Sequence, residues 1–372
     1  MSTRVVAVLF CLMIAACGGD TVKGVLRPVA VEAEGARRLP MLAVTSRGFD
    51  AATGDFTNER AKSLSFQSLV LSIPPGHKDG EIEWPEAVPG DPKRHFVTLA
   101  NQVFDETRLH AALDRSLPPS GEVLVFVHGY NTEHEEGVFR LGQIAADSGI
   151  QALPVLFSWP SRGNVTDYLT DRESTLAARN RLRHFLTLLS RHPRVKRFDV
   201  MAHSMGTFLT METLVQAKLA GDGEFAGRLN TLILAAPDID VDVFMSQFEV
   251  IGRRPRPTVI LISRDDKALK VSSRLAGDVV RVGAASSRAR ASVEAIRKLG
   301  FTVIDLTGQE SGDRANHATF ATSPLVVRQL GNQLRGGLGK SAQGSSAGAF
   351  VLDTTGALIE APSRIFNTVT GR

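Results

Sequence analysis

The chain predicts an α/β architecture: a mostly parallel, doubly wound sheet covered by helices on both faces, with antiparallel strands at its N-terminal edge. Three observations carry that expectation. From Glu122 onward, short apolar runs alternate with segments of helical spacing, and strands joined through helices are joined by right-handed crossovers into a parallel sheet. Before Glu122, strand-like runs follow one another without a helix between them, which fits an antiparallel edge. The stretch Asp199-Val-Met-Ala-His-Ser-Met-Gly-Thr207 reads as a buried strand that turns sharply through Ser204 into a helix.

At the N-terminus, Arg4 precedes the apolar run Val5–Ala16. That run is shorter than the roughly twenty residues needed to span a bilayer and fits the central region of a secretory signal. It ends Leu12-Met-Ile-Ala-Ala-Cys17, which resembles the lipobox of bacterial lipoproteins. The resemblance implies a signal peptide over 1–16, a lipid on Cys17 and, from Gly18, retention at the outer membrane of a two-membrane cell. The expected location is therefore the bacterial cell envelope, with the membrane as a partner through the lipid. Residues 17–38 then form a tether. Cys11 and Cys17 are the two cysteines of the chain, one in the removed segment and one under lipid, so the mature fold has no disulfide and no cysteine zinc site.

The domain is expected over 39–335. Leu39–Thr45 is a first strand, Leu64–Ile73 a second with partial alternation, and His95–Ala100 a third. Pro74-Pro75-Gly76 and Gly80 between them are loop chemistry, and His77 in that loop reads as exposed. Val123–Val127 is apolar throughout, as in a strand buried on both faces, and Gly137–Ala146 has helical spacing. Leu153–Ser158 is the next strand, and Thr175–Ser190 is a helix with apolar residues at Leu176, Leu182, Phe185, Leu186 and Leu189. Phe198–Ala202 is the strand before the sharp turn, and Gly206–Leu219 the helix after it. Leu232–Ala236, Val259–Ile262 and Phe301–Ile304 complete the strands, and a last helix begins near Ser323. Between Asp240 and Pro257 there is room for little more than one short helix, which predicts a minimal cap. From 336 to 372 the Gly/Ser-rich composition reads as a flexible tail.

Composition bounds the rest. With 372 residues and 43% hydrophobic content, the chain can bury one large core, and a net charge of +4 is small for that size. The clusters Arg253-Arg254-Pro255-Arg256 and Arg179, Arg181 and Arg183 have no interleaved aromatics, so they read as solvated faces and nucleic acid is not an expected partner.

In a doubly wound sheet, sites form beyond the carboxyl ends of the strands. There, Ser204 sits in a small-x-Ser-x-Gly turn between Ala202 and Gly206, where small flanks let strand and helix approach; glycine is the usual residue at the position of Ala202. Ser204 is the candidate nucleophile. The loop His128-Gly129-Tyr130-Asn131 follows the first buried strand, and the N–H groups of Tyr130 and Met205 are the candidate oxyanion donors. His128 itself reads as a buried structural residue. Of nine histidines, His317 alone follows Ser204 in the chain, which makes it the candidate base; His203, adjacent at the turn, points away. For the acid that orients the base, Asp266 is best placed and Asp238 next, whereas Asp265 reads as a capping or salt-bridge residue and Asp305 as structural. Trp159, Ile239 and Phe244, with Tyr130, are candidate walls of an acyl pocket.

The blocks Phe126-Val-His-Gly-Tyr-Asn131, Phe157-Ser-Trp-Pro-Ser-Arg-Gly163, Asp171-Arg-Glu-Ser174, Ala202-His-Ser-Met-Gly206, Ala236-Pro-Asp-Ile-Asp240 and Ser263-Arg-Asp-Asp-Lys-Ala-Leu269 resemble a bacterial family of α/β-hydrolases in the esterase/lipase superfamily. Thr45-Ser-Arg47 and Ile73-Pro-Pro75 fit as well, so the likeness runs from about Pro40 to Leu330. It implies the α/β-hydrolase fold, a nucleophile at Ser204 and a base at His317, and it implies no substrate. The expected function is hydrolysis of small carboxylic esters through a Ser-His-Asp triad, with no metal or organic cofactor implied and the oligomeric state left open. Two other readings stand beside it: an inactive, lipid-anchored interaction protein on the same fold, and acyl transfer or amide cleavage on envelope material.

Overall fold

The computed structural model describes residues 22–163, 166–284 and 299–336, together with two short strands at 351–352 and 358–359. Cys17 and the signal segment lie outside the described residues, as does most of the tail beyond 336. Three strands open the domain: β1 (Arg37–Asp50), β2 (Asp55–Ile73) and β3 (Val97–Phe104), paired as an antiparallel meander. Six more follow: β4 (Glu122–Val127), β5 (Leu153–Ser158), β6 (Arg197–His203), β7 (Leu229–Ala235), β8 (Thr258–Ile262) and β9 (Thr302–Asp305). All nine form one sheet in the order β3-β2-β1-β5-β4-β6-β7-β8-β9, and every pairing from β1–β5 to β8–β9 is parallel. The fold is that of an α/β-hydrolase, with antiparallel edge strands.

The helices between and after the strands are α1 (Leu109–Ser116), α2 (His134–Ser148), α3 (Tyr168–Arg191), α4 (Met205–Leu219), α5 (Val241–Ile251), α6 (Lys267–Leu275), the single turn α7 (Thr319–Thr322) and α8 (Pro324–Gly336). They explain why the central strands are apolar without alternation. In β4, Val123, Val125 and Val127 pack with Leu182, Phe185 and Leu209 of α3 and α4, whereas Leu124 and Phe126 pack with Val138, Phe139 and Val327 of α2 and α8. Each face of the sheet thus carries its own core.

The structure departs from the sequence expectations where polar contacts decide. β2 begins nine residues before Leu64, because its polar first half is held by cross-strand bonds to β1, with Arg60 opposite Arg47 and Phe56 opposite Phe49. α3 begins at Tyr168 rather than Thr175, and its added turns bury Asp171 and Ser174. Residues 22–36, expected as tether, partly dock: Val25 and Leu26 are buried with Met41, Leu69 and Phe96, and Val29 N–H donates to Thr98 O at 2.8 Å. His77 is not an exposed loop residue. Its side chain is buried, with Nδ1 2.8 Å from Glu83 Oε2 and Nε2 2.7 Å from Asp147 Oδ1, so two carboxylates draw it inward. Among the described residues, no helix is long and apolar enough to cross a membrane.

Candidate active site

Ser204 joins β6 to α4 with φ +51° and ψ −124°, a conformation that an L side chain adopts only when its surroundings enforce it. The enforcement comes from backbone packed on backbone. A Cβ on Gly206 would lie 2.3 Å from the carbonyl oxygen of His128 and 2.7 Å from that of Val127, so only glycine lets α4 seat against the end of β4. From the other side, a Cβ on Gly129 would stand 3.0 Å from Ser204 Cβ. Ala202 is tolerated where Gly206 admits nothing, because its methyl is accommodated inside the sheet beside Val127 and Leu234. Asn131, Ala236 and Asn316, in the loops around Ser204, also have positive φ, so strain gathers at this edge of the sheet.

His317 Nδ1 lies 2.7 Å from Asp266 Oδ2, and Asp266 is fully buried. The other carboxylate oxygen of Asp266 accepts the N–H of Leu269 at 2.9 Å and so caps α6. The loop bearing His317 is pinned by Asp313, whose Oδ2 accepts the N–H groups of His317 at 2.6 Å and Ala318 at 2.9 Å. Burial depresses the pKa of His317, but the adjacent Asp266 carboxylate, its hydrogen bond and the charges of Asp313 and Asp238 outweigh that, and the pKa stands above the ordinary histidine value. His203 goes the other way. Burial and the neighbouring His317 hold it well below the ordinary value, so it is neutral, and its Nε2–H donates to the carbonyl of His317 at 3.1 Å. Asp313 and His203 hold the loop of His317, which sequence spacing did not reveal; an aspartate four residues before the candidate histidine is the one local signal.

Asp238 is committed elsewhere. Its Oδ2 accepts Tyr168 Oη–H at 2.9 Å, while Oδ1 accepts Ser272 Oγ–H and lies 3.2 Å from Arg281 Nε. Asp265 accepts Ser263 Oγ–H and the N–H of Gly308, and Asp305 accepts the N–H of Thr307 at 2.9 Å and pairs with Arg264, so both tie loops.

A cleft of about 540 Å³ opens beside Ser204 and His317, walled by Tyr130, Tyr168, Asp238 and the α6 residues Leu269, Val271 and Leu275. A second cleft of about 750 Å³ adjoins it and is lined by Gly129, Thr132, Glu136, Arg140, His203 and Asp313 among others. Tyr130 and His317 line both. Trp159, Ile239 and Phe244 line neither, which corrects the expectation that they wall the pocket. Ile239 and Phe244 are fully buried core residues, the latter packed on Phe301 with ring centroids 5.5 Å apart. Trp159 stacks on His128 and donates from Nε1 to the His128 carbonyl at 2.8 Å. Full burial holds His128 at a pKa of about 3, so it stays neutral, accepting Trp159 N–H at Nε2 and donating from Nδ1 to Gly129 O. The apolar wall comes instead from α6, and the helical spacing of Ala268, Leu269, Val271 and Leu275 is the sequence signal that could have found it.

Behind the Tyr130 loop lies fully buried Arg47 from β1. Its Nε donates to Ser158 Oγ at 2.9 Å, Nη1 to Ser161 O at 2.9 Å and Nη2 to Thr132 O at 2.7 Å. Asp171 completes the support, accepting Ser161 Oγ–H at 2.6 Å and Arg162 N–H at 2.9 Å. Burial lowers the Arg47 pKa to about 10, against the charges of Glu135, Asp171, Glu133 and Glu136, and the guanidinium stays cationic. Among the described residues, His110, Asp114 and His192, and separately His77, Asp79 and Asp147, are close enough to hold a metal ion. Neither group lines a cleft at Ser204.

A strained serine at a strand-to-helix turn of a parallel sheet, beside a histidine-aspartate pair carried by later loops, defines an α/β-hydrolase. The chain belongs to the family described as alpha/beta hydrolase of unknown function (DUF900), whose model matches residues 105–334. A search of curated proteins finds no match. Similar solved structures include esterase 2 of Thermogutta terrifontis, at 11% identity over 75% of this chain and 92% of that one with a TM-score of 0.37. Carboxyl esterase 2 of Tuber melanosporum is similar at 11% identity over 90% and 97% of the two chains with a TM-score of 0.39. Lipase B of Aspergillus fumigatus is similar at 14% identity over 60% and 57% with a TM-score of 0.38. At these identities and TM-scores the likenesses carry no inference about the reaction.

Proposed function

We propose that the chain is a serine hydrolase of carboxylic esters that works through an acyl-enzyme at Ser204. Ser204 Oγ attacks the ester carbonyl while His317 Nε2 takes its proton, and Asp266 holds the imidazole in the tautomer that leaves Nε2 free to do so. The N–H of Met205, at the first position of α4 and therefore without an intrahelical acceptor, and that of Tyr130 stabilise the oxyanion. His317 then protonates the leaving alcohol, and water attacks the acyl-enzyme by the reverse of the same proton transfers. The observation that carries the reading is the 2.7 Å contact between His317 and buried Asp266, with Ser204 on its strained turn in the same cleft.

A fluorophosphonate probe is expected to label the wild type and not Ser204→Ala, and ester kcat/KM should fall by about 10⁴-fold or more in that variant. Folded wild-type protein that takes no label would sink the proposal and favour an inactive interaction protein. We also infer that a lipid on Cys17 holds the enzyme at the bacterial envelope, from the Val5–Ala16 run and the residues before Cys17. Incorporation of labelled fatty acid that persists in Cys17→Ser would refute the anchor.

A further inference from the structure

We propose that the second cleft receives the leaving alcohol, and that this alcohol carries hydrogen-bond acceptors beside the ester oxygen, as a polyol does, in place of a plain hydrocarbon chain. The inference rests on the serine-hydrolase reading of Ser204. Its starting point is the division of the site: Ser204 lines the first cleft, Tyr130 and His317 line both, and the second cleft continues away from the nucleophile. Turnover forms the Oγ–acyl bond and breaks the bond from carbonyl carbon to alcohol oxygen, and the proton taken from Ser204 passes through His317 to that oxygen. With Nδ1 committed to Asp266, the proton leaves from Nε2, so the alcohol oxygen must sit at His317, on the boundary between the clefts.

The walls say which part of the substrate goes where. Beyond Ser204 the first cleft offers Leu269, Val271 and Leu275, and its polar residues Tyr168, Asp238 and Ser272 bond one another, which leaves a surface for a hydrocarbon acyl chain. The second offers Glu136 and Arg140, one helical turn apart on α2, with Thr132 and Thr322. Arg140 is steadied by Gln143, with Nη1 2.9 Å from Oε1, and a guanidinium has only donors to give. Glu136, its carboxyl pushed up to about 8 mainly by desolvation, sets beside the guanidinium a carboxyl that hydroxyl groups can hydrogen-bond. A hydrocarbon alcohol laid against these groups would desolvate them without replacing the lost hydrogen bonds, whereas hydroxyl oxygens would replace them.

The test compares propyl butanoate with 1-glyceryl butanoate, which share the acyl group and differ by hydroxyls on the same three-carbon alcohol. The glyceryl ester is expected to have a kcat/KM about tenfold above the propyl ester, as charged hydrogen-bond donors in a partly buried site discriminate. Arg140→Met and, independently, Glu136→Leu should each erase most of that preference through KM, with fluorophosphonate labelling showing that each variant is folded. A wild-type ratio within twofold overturns the inference, and so does a preference that survives both variants. A change in acyl-length preference in Arg140→Met would reverse the two clefts and overturn it equally. Labelling without turnover of either ester counts against this inference alone; absence of labelling counts against the underlying reading and removes this one with it.

Discussion

Asp266 uses its two oxygens for different ends, Oδ1 capping α6 and Oδ2 fixing His317, so the helix that walls the cleft and the imidazole beside it share one carboxylate. That sharing gives a pH prediction for the proposed triad. The base must be neutral to accept a proton, and its pKa lies above the ordinary value, so the acid limb of kcat/KM should lie above the usual histidine range. Asp266→Asn keeps an oxygen for the cap and removes the charge that raises the pKa. The limb should move to lower pH, and the plateau should fall by roughly 10³–10⁴-fold, since a neutral amide no longer selects the working tautomer. A pH–rate profile checks both, and an unmoved limb would show that Asp266 does not set the base. The candidates Ser204 and His317 were legible because chain order and local pattern suffice for them. The acid was legible as a ranking, Asp266 before Asp238, and the positions of Tyr168, Ser272 and Arg281, distant in sequence, show why Asp238 is already engaged.

The same contrast holds among the elements. Strands β4 to β6 and β8 match their apolar runs to within a residue or two at each end, because burial on both faces writes an unbroken signal. α6 has its apolar residues Ala268, Leu269, Val271 and Leu275 at helical spacing, but that periodicity marks a helix and says nothing of the cleft its apolar face walls. β1 is legible as a strand but not as part of the site, since the irregular register on either side of Arg47 is what accompanies its guanidinium beneath the Tyr130 loop. Lysine at that position would keep the charge and lose the planar fork that reaches Ser158, Ser161 and Thr132 together. Arg47→Lys is expected to cost about 2 kcal/mol of stability and to lower ester kcat/KM by roughly 10–100-fold through a displaced oxyanion loop. The acid limb should stay in place, because His317 is untouched. Wild-type kinetics in this variant would mean that the loop holds its shape without Arg47.

At the scale of the molecule, the family match begins at residue 105, yet β1 sits between β2 and β5 and sends Arg47 beneath the Tyr130 loop. The N-terminal meander is therefore part of the same folded unit, and the loop that follows β2 fastens it to helices α2, α7 and α8. Gly80 packs so closely on α7 that a Cβ there would lie 2.5 Å from Thr322 O, Asp79 pairs with Arg328 of α8, and His77 joins Glu83 to Asp147 of α2. Burial disfavours the imidazolium of His77, but the hydrogen bonds and charges of Asp147 and Glu83 prevail and raise its pKa above the ordinary 6.5. A group whose pKa is raised on folding contributes its full stability below the unfolded value and loses that contribution as pH climbs through the folded one. His77→Gln, which keeps hydrogen bonding and removes the charge, should thus cost about 2 kcal/mol near pH 6 and clearly less near pH 9. Urea denaturation of both proteins at the two pH values measures the difference directly. An equal loss at both would mean that His77 fastens the meander by shape and neutral hydrogen bonds, and that its charge plays no part in holding the loop after β2 against α2.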